Sequence, residues 1–105
     1  MLRIYHDTVT LLSELRPAID RIDRRDRDLA RQLRRAATSV VLNLAEGMGL
    51  RDGHRRERYR TALGSALEVH AGLEAARALG YVAPLPPALH DRLDKVVRTL
   101  YSLTR

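Results

Sequence analysis

The chain has 105 residues, of which 45% are hydrophobic and 30% are charged, and it carries a formal net charge of +6. These values predict one folded domain over residues 1–105 with a real core, and they exclude an intrinsically disordered chain. Because cysteine is absent, disulfides, thiolate nucleophiles and cysteine-based zinc sites are excluded. No apolar run approaches the roughly 20 residues that cross a bilayer, and MLRIYHDTVTLL has no long apolar core followed by a small-residue cleavage site. We therefore expect no secretory signal and a soluble cytoplasmic protein.

The positive charge is concentrated in two short blocks. Residues 21–35 contain seven Arg and three Asp, and residues 51–60 contain five Arg and two acidic residues. The net positive charge of the two blocks together exceeds the net positive charge of the whole chain. This concentration of charge favours an anionic partner such as nucleic acid or an acidic protein. The alternative is a solvated Arg-rich surface with no specific partner.

The first of four predicted helices contains apolar side chains at spacings of three and four, which indicates an amphipathic helix. These residues are Ile4, Thr8, Leu11, Leu12, Leu15, Ile19 and Ile22. Pro17 removes the hydrogen bond to Ser13 and disfavours helical geometry at Arg16. We therefore expect a kink or a break at this proline.

The second helix is predicted to begin near Asp26 or Asp28, because Asp is a favourable N-cap. Its apolar stripe consists of Leu29, Leu33, Ala36, Val40 and then Asn43 or Leu44, and Ala37 and Val41 widen it. Gly47 is predicted to stop the helix as its C′ residue.

The third helix is predicted from about His54 to Leu79, with Gly80 as its stop. It carries two adjacent apolar stripes and many small residues. Together the two stripes form an apolar face that is wider than packing against a single neighbouring helix requires. Pro87 is predicted in the first turn of a fourth helix. Since the links are short, neighbouring helices should be antiparallel, which gives an all-α, up-down-up-down four-helix bundle.

No enzyme motif is present in the sequence. The segment GMG ends a helix and lacks the Lys-Ser/Thr of a P-loop, and no Glu is followed three residues later by His, as di-iron bundles require. The pairs His54/Glu57 and His70/Glu74 would each supply only two metal ligands. We expect a non-enzymatic protein without a metal or another cofactor.

Nucleic-acid binding is the favoured function, because Arg can bind phosphate oxygens in a bidentate manner. The candidate residues lie in the two basic blocks, and Arg31, Arg34 and Arg35 are expected opposite the apolar stripe of the second helix. The full set is Arg24, Arg25, Arg31, Arg34, Arg35, Arg51, Arg55, Arg56 and Arg58. Tyr59 is the only aromatic residue among them, so binding should be electrostatic, weakly sequence-specific and salt-dependent.

Asn43 and Glu46 share one face of the second helix. Glu46 lies at the helix end where the dipole disfavours negative charge, so it should need a partner. We predict that Glu46 joins this end to the start of the third helix, with Arg55 or Arg58 within reach, while Asn43 hydrogen-bonds inside the bundle or its interface. Ligand binding and catalysis are the alternatives for Glu46.

The segments QLRRAATSVVLNLAEGMG and RYRTALGSALEVHAGLEAARALGY resemble the four-helix bundle proteins encoded in intervening sequences of bacterial large-subunit ribosomal RNA genes. The matching positions include Gln32 to Ala37, Asn43 to Gly47, Tyr59, and the pair Gly64 and Ser65. The resemblance implies a ring-like homopentamer. It also implies kinship with the accessory variability protein of diversity-generating retroelements, which associates with a reverse transcriptase and nucleic acid.

Two hypotheses about function follow. The first is an oligomeric bundle that binds structured RNA or DNA through its arginines. The second is a scaffold or adaptor ring that docks a protein partner such as a reverse transcriptase.

Overall fold

The computed structural model describes residues 3–105, which form four α-helices and no strand. The helices are α1 (Arg3–Asp23), α2 (Arg27–Met48), α3 (Asp52–Ala78) and α4 (Pro87–Leu103). Consecutive helices pack against each other, α1 also packs against α4, and the α2–α3 contact is the most extensive. The helices therefore alternate in direction around one core, and the prediction of an all-α protein with four helices is confirmed.

Each helix contributes one buried stripe of apolar side chains to the core. The largest fully buried side chains are Leu15, Ile22, Leu33, Leu44, Val69, Leu93, Val96 and Leu100. Complete burial of one Leu or Ile side chain contributes about 1.5–3 kcal/mol. The apolar stripes read from the sequence are thus the surfaces that hold the helices together.

Of the two outcomes expected at Pro17, a kink or a break, the break is wrong, because α1 continues without interruption from Arg3 to Asp23. Pro17 lies on an exposed position of α1, and so does Ser13 one turn earlier. The Ser13 carbonyl that proline leaves without a helical donor therefore faces water, which can replace the missing hydrogen bond.

The start of α2 agrees with the prediction, whereas its end does not. Asp26 is the N-cap, and its Oδ1 accepts a hydrogen bond of 3.0 Å from the Leu29 amide. Gly47 does not stop the helix, which continues to Met48 with Gly49 as its C-cap. Gly47 is instead buried against Tyr59: an added Cβ would lie 2.5 Å from Tyr59 Cε1. This glycine allows α2 and α3 to approach each other closely.

Helix α3 begins at Asp52, two residues before the predicted start, with a φ of +51° that Asp tolerates better than most residues. It ends in a Schellman motif around Gly80, whose φ is +79°. The Gly80 amide donates to the Arg77 carbonyl at 3.0 Å, and the Tyr81 amide donates to the Ala76 carbonyl at 2.9 Å. Helix α4 begins at Pro87, the predicted first-turn residue.

Candidate nucleic-acid interface

The nine candidate arginines lie at opposite ends of α2. One group lies in the α1–α2 turn and on the first half of α2, and consists of Arg24, Arg25, Arg31, Arg34 and Arg35. The other group lies at the α2–α3 turn and in the first two turns of α3, and consists of Arg51, Arg55, Arg56 and Arg58. A helix of 22 residues is about 33 Å long, so the two groups do not form one continuous patch on a single copy.

Arg34 is exposed, with 47% of its side chain accessible, and it also reaches across to α1. Its Nη2 atom lies 3.2 Å from Asp20 Oδ1 and 3.5 Å from Asp23 Oδ2. Both carboxylates belong to the last turn of α1, so Arg34 joins α1 to α2. Its charge is already compensated within the chain.

Arg25 also has a partner within the chain, because its guanidinium lies 5.6 Å from the centre of the Tyr81 ring. The Tyr81 hydroxyl donates a hydrogen bond of 3.2 Å to Asp26 Oδ2. Partial burial and the neighbouring Asp26 carboxylate raise the pKa of Tyr81 above its ordinary value of 10.0, while Arg25 opposes this rise. This contact joins the end of α3 to the start of α2.

Glu46 pairs with Arg58, one of the two arginines predicted to be within its reach. Arg58 Nη1 lies 3.2 Å from Glu46 Oε2 and 3.5 Å from Asn43 Oδ1. Asn43 Nδ2 in turn donates to the Ser39 carbonyl at 2.9 Å, and Ser39 Oγ lies 2.7 Å from Ser65 Oγ. We call this chain of contacts between α2 and α3 the polar seam.

Arg55 binds backbone rather than Glu46. Its Nε atom donates to the Leu50 carbonyl at 2.8 Å and to the Gly47 carbonyl at 3.2 Å. These are carbonyls at and just beyond the end of α2, where intrahelical donors run out and the helix dipole favours a positive charge. Arg55 therefore caps α2, and Arg58 alone contacts Glu46.

The other five candidate arginines are exposed, and within residues 3–105 no carboxylate lies within 4.0 Å of any of them. They are Arg24, Arg31, Arg35, Arg51 and Arg56, and we call them the free arginines. Their guanidinium groups are available to bind phosphate in the way that Arg side chains usually do.

Two further features were not identified from the sequence. Leu42 lies on the same exposed side of α2 as Arg35, and its side chain is 56% exposed. The second feature is the contact between Ser39 and Ser65 within the polar seam, which lies where α2 and α3 pack together. Periodicity places Leu42 and Ser39 on α2, but it does not reveal which neighbour each one faces.

A cavity with a partly apolar lining lies between the end of α3, the proline-rich link and the start of α4. His70 and His90 line it, and His70 Nδ1 lies 3.1 Å from Glu74 Oε1. In the part of the chain that the structure describes, no group of three His, Asp or Glu side chains is arranged to hold a metal ion. Nor does any described helix have the length and apolar character needed to span a membrane.

Comparison with known proteins identifies the family of the chain. The model of the family described as 23S rRNA-intervening sequence protein matches residues 1–102. No curated protein and no solved structure matches the chain. The match covers nearly the whole sequence, including all of the residues that form the polar seam and the free arginines.

Proposed function

Because the chain belongs to the 23S rRNA-intervening sequence protein family, we propose that it is a non-enzymatic, cytoplasmic, oligomeric protein that binds structured nucleic acid. The observation that supports this function most is the set of five free arginines, which have no carboxylate partner within the described residues. An Arg that is already paired must give up its partner to bind phosphate, whereas a free one need not.

The binding mode follows from the side chains that are present. Tyr59, the one tyrosine within the two basic blocks of the sequence, is buried against Gly47 and is not exposed for stacking on bases. Tyr81 lies beside Arg25 and already contacts Arg25 and Asp26. Phosphate contacts position a nucleic acid but carry little sequence information. We therefore propose electrostatic binding to RNA or DNA with weak sequence specificity. A duplex that contacts both ends of α2 must extend over about 30 Å.

Binding to a fluorescently labelled RNA hairpin, measured by anisotropy, tests this function. Replacing two of the three free arginines at one end of α2 (Arg24→Gln with Arg31→Gln) should weaken binding, and so should Arg51→Gln with Arg56→Gln at the other end. Each pair of substitutions removes two phosphate contacts, so we expect a loss of about tenfold or more at low salt.

The control for this experiment removes the same charge elsewhere. Among residues 3–105, Arg98 pairs only with Asp94 of its own helix, and Arg105 lies near Tyr101. The variant Arg98→Gln with Arg105→Gln should bind RNA nearly as well as the unmodified chain. If it loses as much affinity as the α2 variants, net charge alone explains the binding and the assignment of the free arginines is wrong.

The second candidate function is a scaffold or adaptor ring that docks a protein such as a reverse transcriptase. The exposed side chains of Leu42, Leu67 and Leu79 favour a protein contact, because large apolar side chains are costly to leave in water. The two candidate functions differ in one testable respect. The nucleic-acid-binding function predicts salt-sensitive RNA binding in the absence of any other protein, whereas the scaffold function does not. The number of copies, five by family resemblance, belongs to the proposal as well.

A further inference from the structure

The cavity beside the α3–α4 link, residues 79–86, has the size and the lining of a small-molecule site. Its volume is about 150 Å³, and it opens to solvent on one side. We call it the α3–α4 cavity. Its floor consists of Leu73 and Leu93, which are 5% and 2% exposed, together with Val82 and Leu85 of the link. Because an engineered apolar cavity of this volume in another protein binds benzene, one six-membered ring fits here.

The link is fixed at both ends, so the cavity does not depend on a ligand for its shape. At its start, the Tyr81 hydroxyl donates a hydrogen bond of 3.2 Å to Asp26 Oδ2. At its end, the Pro86 carbonyl accepts a hydrogen bond of 3.0 Å from the Leu89 amide. Between them Pro84 lines the cavity, and its ring restricts the backbone of the wall. Binding to such a preformed site costs little conformational entropy.

The rim of the α3–α4 cavity carries four titratable side chains, one of which is an arginine without an acidic partner. His70 Nδ1 lies 3.1 Å from Glu74 Oε1, so these two side chains contact each other. His90 Nδ1 lies 3.8 Å from Asp91 Oδ1. Within residues 3–105, no carboxylate oxygen lies within 4.0 Å of the Arg77 guanidinium. Arg77 is therefore available to bind an anionic group at the mouth of the cavity.

The apolar floor and the Arg77 guanidinium favour two different parts of one ligand. A ring that leaves water for the floor gains the free energy of burying apolar surface. A guanidinium binds a carboxylate in a bidentate manner, and this geometry suits the planar group of an aromatic acid. A small inorganic anion would leave the floor in contact with water, and a cationic ring would meet the like charge of Arg77. One ring with one carboxylate satisfies both surfaces.

We propose that the α3–α4 cavity binds a small aromatic carboxylic acid, with its ring against Leu73, Leu85 and Leu93 and its carboxylate bound by Arg77. This small-molecule site goes beyond the proposed nucleic-acid function, because it uses none of the free arginines and no residue of the polar seam. The bound acid contacts α3, the link and α4 together, so it also stabilises the folded chain by mass action.

A nuclear magnetic resonance titration of the full chain with benzoate tests this site. The chain has four histidines, and their ring signals report on different places. His70 and His90 line the cavity, whereas His6 lies in α1 and His54 lies in the first turn of α3. We expect the His70 and His90 signals to shift and saturate with a dissociation constant of about 1 mM or less. The His6 and His54 signals should not move over the same range.

Three matched probes separate the contribution of the ring from that of the charge. Acetate has the carboxylate without the ring, benzyl alcohol has the ring without the charge, and benzylamine has the ring with the opposite charge. Each probe lacks one of the two favourable contacts. Each should therefore bind at least about tenfold more weakly than benzoate.

Arg77→Gln tests the carboxylate contact, with Arg98→Gln as its matched control. Arg98 is an exposed arginine of α4 that does not line the cavity. Arg77→Gln should weaken benzoate binding by about tenfold and leave benzyl alcohol binding unchanged, whereas Arg98→Gln should alter neither. Val82→Phe fills part of the cavity and should remove binding of both probes. Circular dichroism should show native helix content in all three variants.

Four results would overturn the proposed site. They are no saturable shift with benzoate, equal shifts of all four histidines, acetate binding as tight as benzoate binding, or an unchanged benzoate affinity in Arg77→Gln. Shifts of His70 and His90 by uridine monophosphate but not by benzoate would likewise contradict a site for aromatic acids. RNA binding by the same samples tests the proposed function separately. A chain that binds benzoate but not RNA contradicts only the nucleic-acid function, and the reverse result contradicts only the cavity site.

Discussion

Gly47 and Gly64 are both helical glycines, but a methyl group added at each position meets different surroundings. At Gly47 the new Cβ would lie 2.5 Å from Tyr59 Cε1, whereas at Gly64 it would enter open space. We expect Gly47→Ala to lower the free energy of unfolding by about 1–3 kcal/mol through overpacking. Gly64→Ala should raise it by about 0.5–1 kcal/mol through helix propensity.

Urea unfolding, followed at a protein concentration where sedimentation detects only monomer, measures both effects. Because the two substitutions are chemically identical, opposite signs would show that the surroundings of each glycine decide the effect. A stabilising Gly47→Ala would contradict the close approach of α2 and α3 at Tyr59.

The Glu46–Arg58 contact predicts a small effect on stability. Both side chains are about half exposed, at 57% and 48%, so solvent screens the pair. Glu46→Gln should therefore reduce the free energy of unfolding by about 0.5 kcal/mol, and about 1 M salt should remove most of the difference. The control is Glu57→Gln, which breaks the pair with Arg60 inside α3 and joins no two helices.

If Glu46→Gln proves no less stable than Glu57→Gln, and assembly is also unaffected, Glu46 does not join the two helices. Ligand binding would then become the better explanation for a carboxylate at this helix end. A loss of stability that salt removes would support the structural role.

Tyr81 gives a prediction about pH. Its pKa is raised above 10.0 by partial burial and by Asp26, so the neutral hydroxyl is favoured in the folded state. The contribution of Tyr81 to stability is fully present below the pKa of tyrosine in the unfolded chain, and it is lost as the pH rises through the higher folded value. Asp26→Asn should bring the pKa of Tyr81 back toward 10.0, because it removes the negative charge next to the hydroxyl.

An ultraviolet titration of tyrosinate absorbance measures this shift, with Tyr81→Phe subtracted to remove the other three tyrosines. An unchanged titration in Asp26→Asn would mean that the carboxylate does not contact the hydroxyl in solution.

At the scale of elements, the helices were predictable because their apolar residues recur every three or four positions. The N-cap Asp26, the stop at Gly80 and the first-turn Pro87 followed from local backbone chemistry alone. The break at Pro17 and the helix stop at Gly47 were predicted wrongly because the outcome at both positions depends on tertiary structure. Proline is tolerated where the carbonyl without a helical donor faces water. Gly47 is required because the Tyr59 side chain of the next helix occupies the space of a Cβ.

The contact of α4 with α1 also includes ion pairs that the sequence does not reveal. Arg92 Nε lies 2.5 Å from Glu14 Oε1, and Lys95 Nζ lies 3.3 Å from Asp7 Oδ2. Because Asp7 is only 14% exposed, it is costly to leave with fewer partners. Arg92→Gln should reduce the free energy of unfolding by about 1 kcal/mol.

Hydrogen exchange measures where this loss falls. The amides of α4 should exchange faster in Arg92→Gln, whereas Arg98→Gln should change little because Arg98 is 72% exposed and pairs within its own helix. Equal effects of the two substitutions would show that the ion pairs with α1 do not hold α4 in place.

For the whole molecule, the sequence identified the basic blocks but not which of their charges are available. Arg34 and Arg35 are neighbours in the chain, yet the first pairs with carboxylates of α1 and the second faces solvent. One step along a helix rotates a side chain by about 100°, so its surroundings follow from how the helix is turned in the bundle. The separation of the free arginines toward opposite ends of α2 is likewise a property of the fold.

The most direct test of the central claim is the salt dependence of RNA binding. If all five free arginines contact duplex phosphates, the logarithm of the binding constant should fall against the logarithm of salt concentration with a slope approaching about −4.5 per chain. Replacing two of them should reduce that slope by about 2. No detectable binding at about 50 mM salt, or a slope near zero, would contradict the claim that these guanidinium groups bind phosphate.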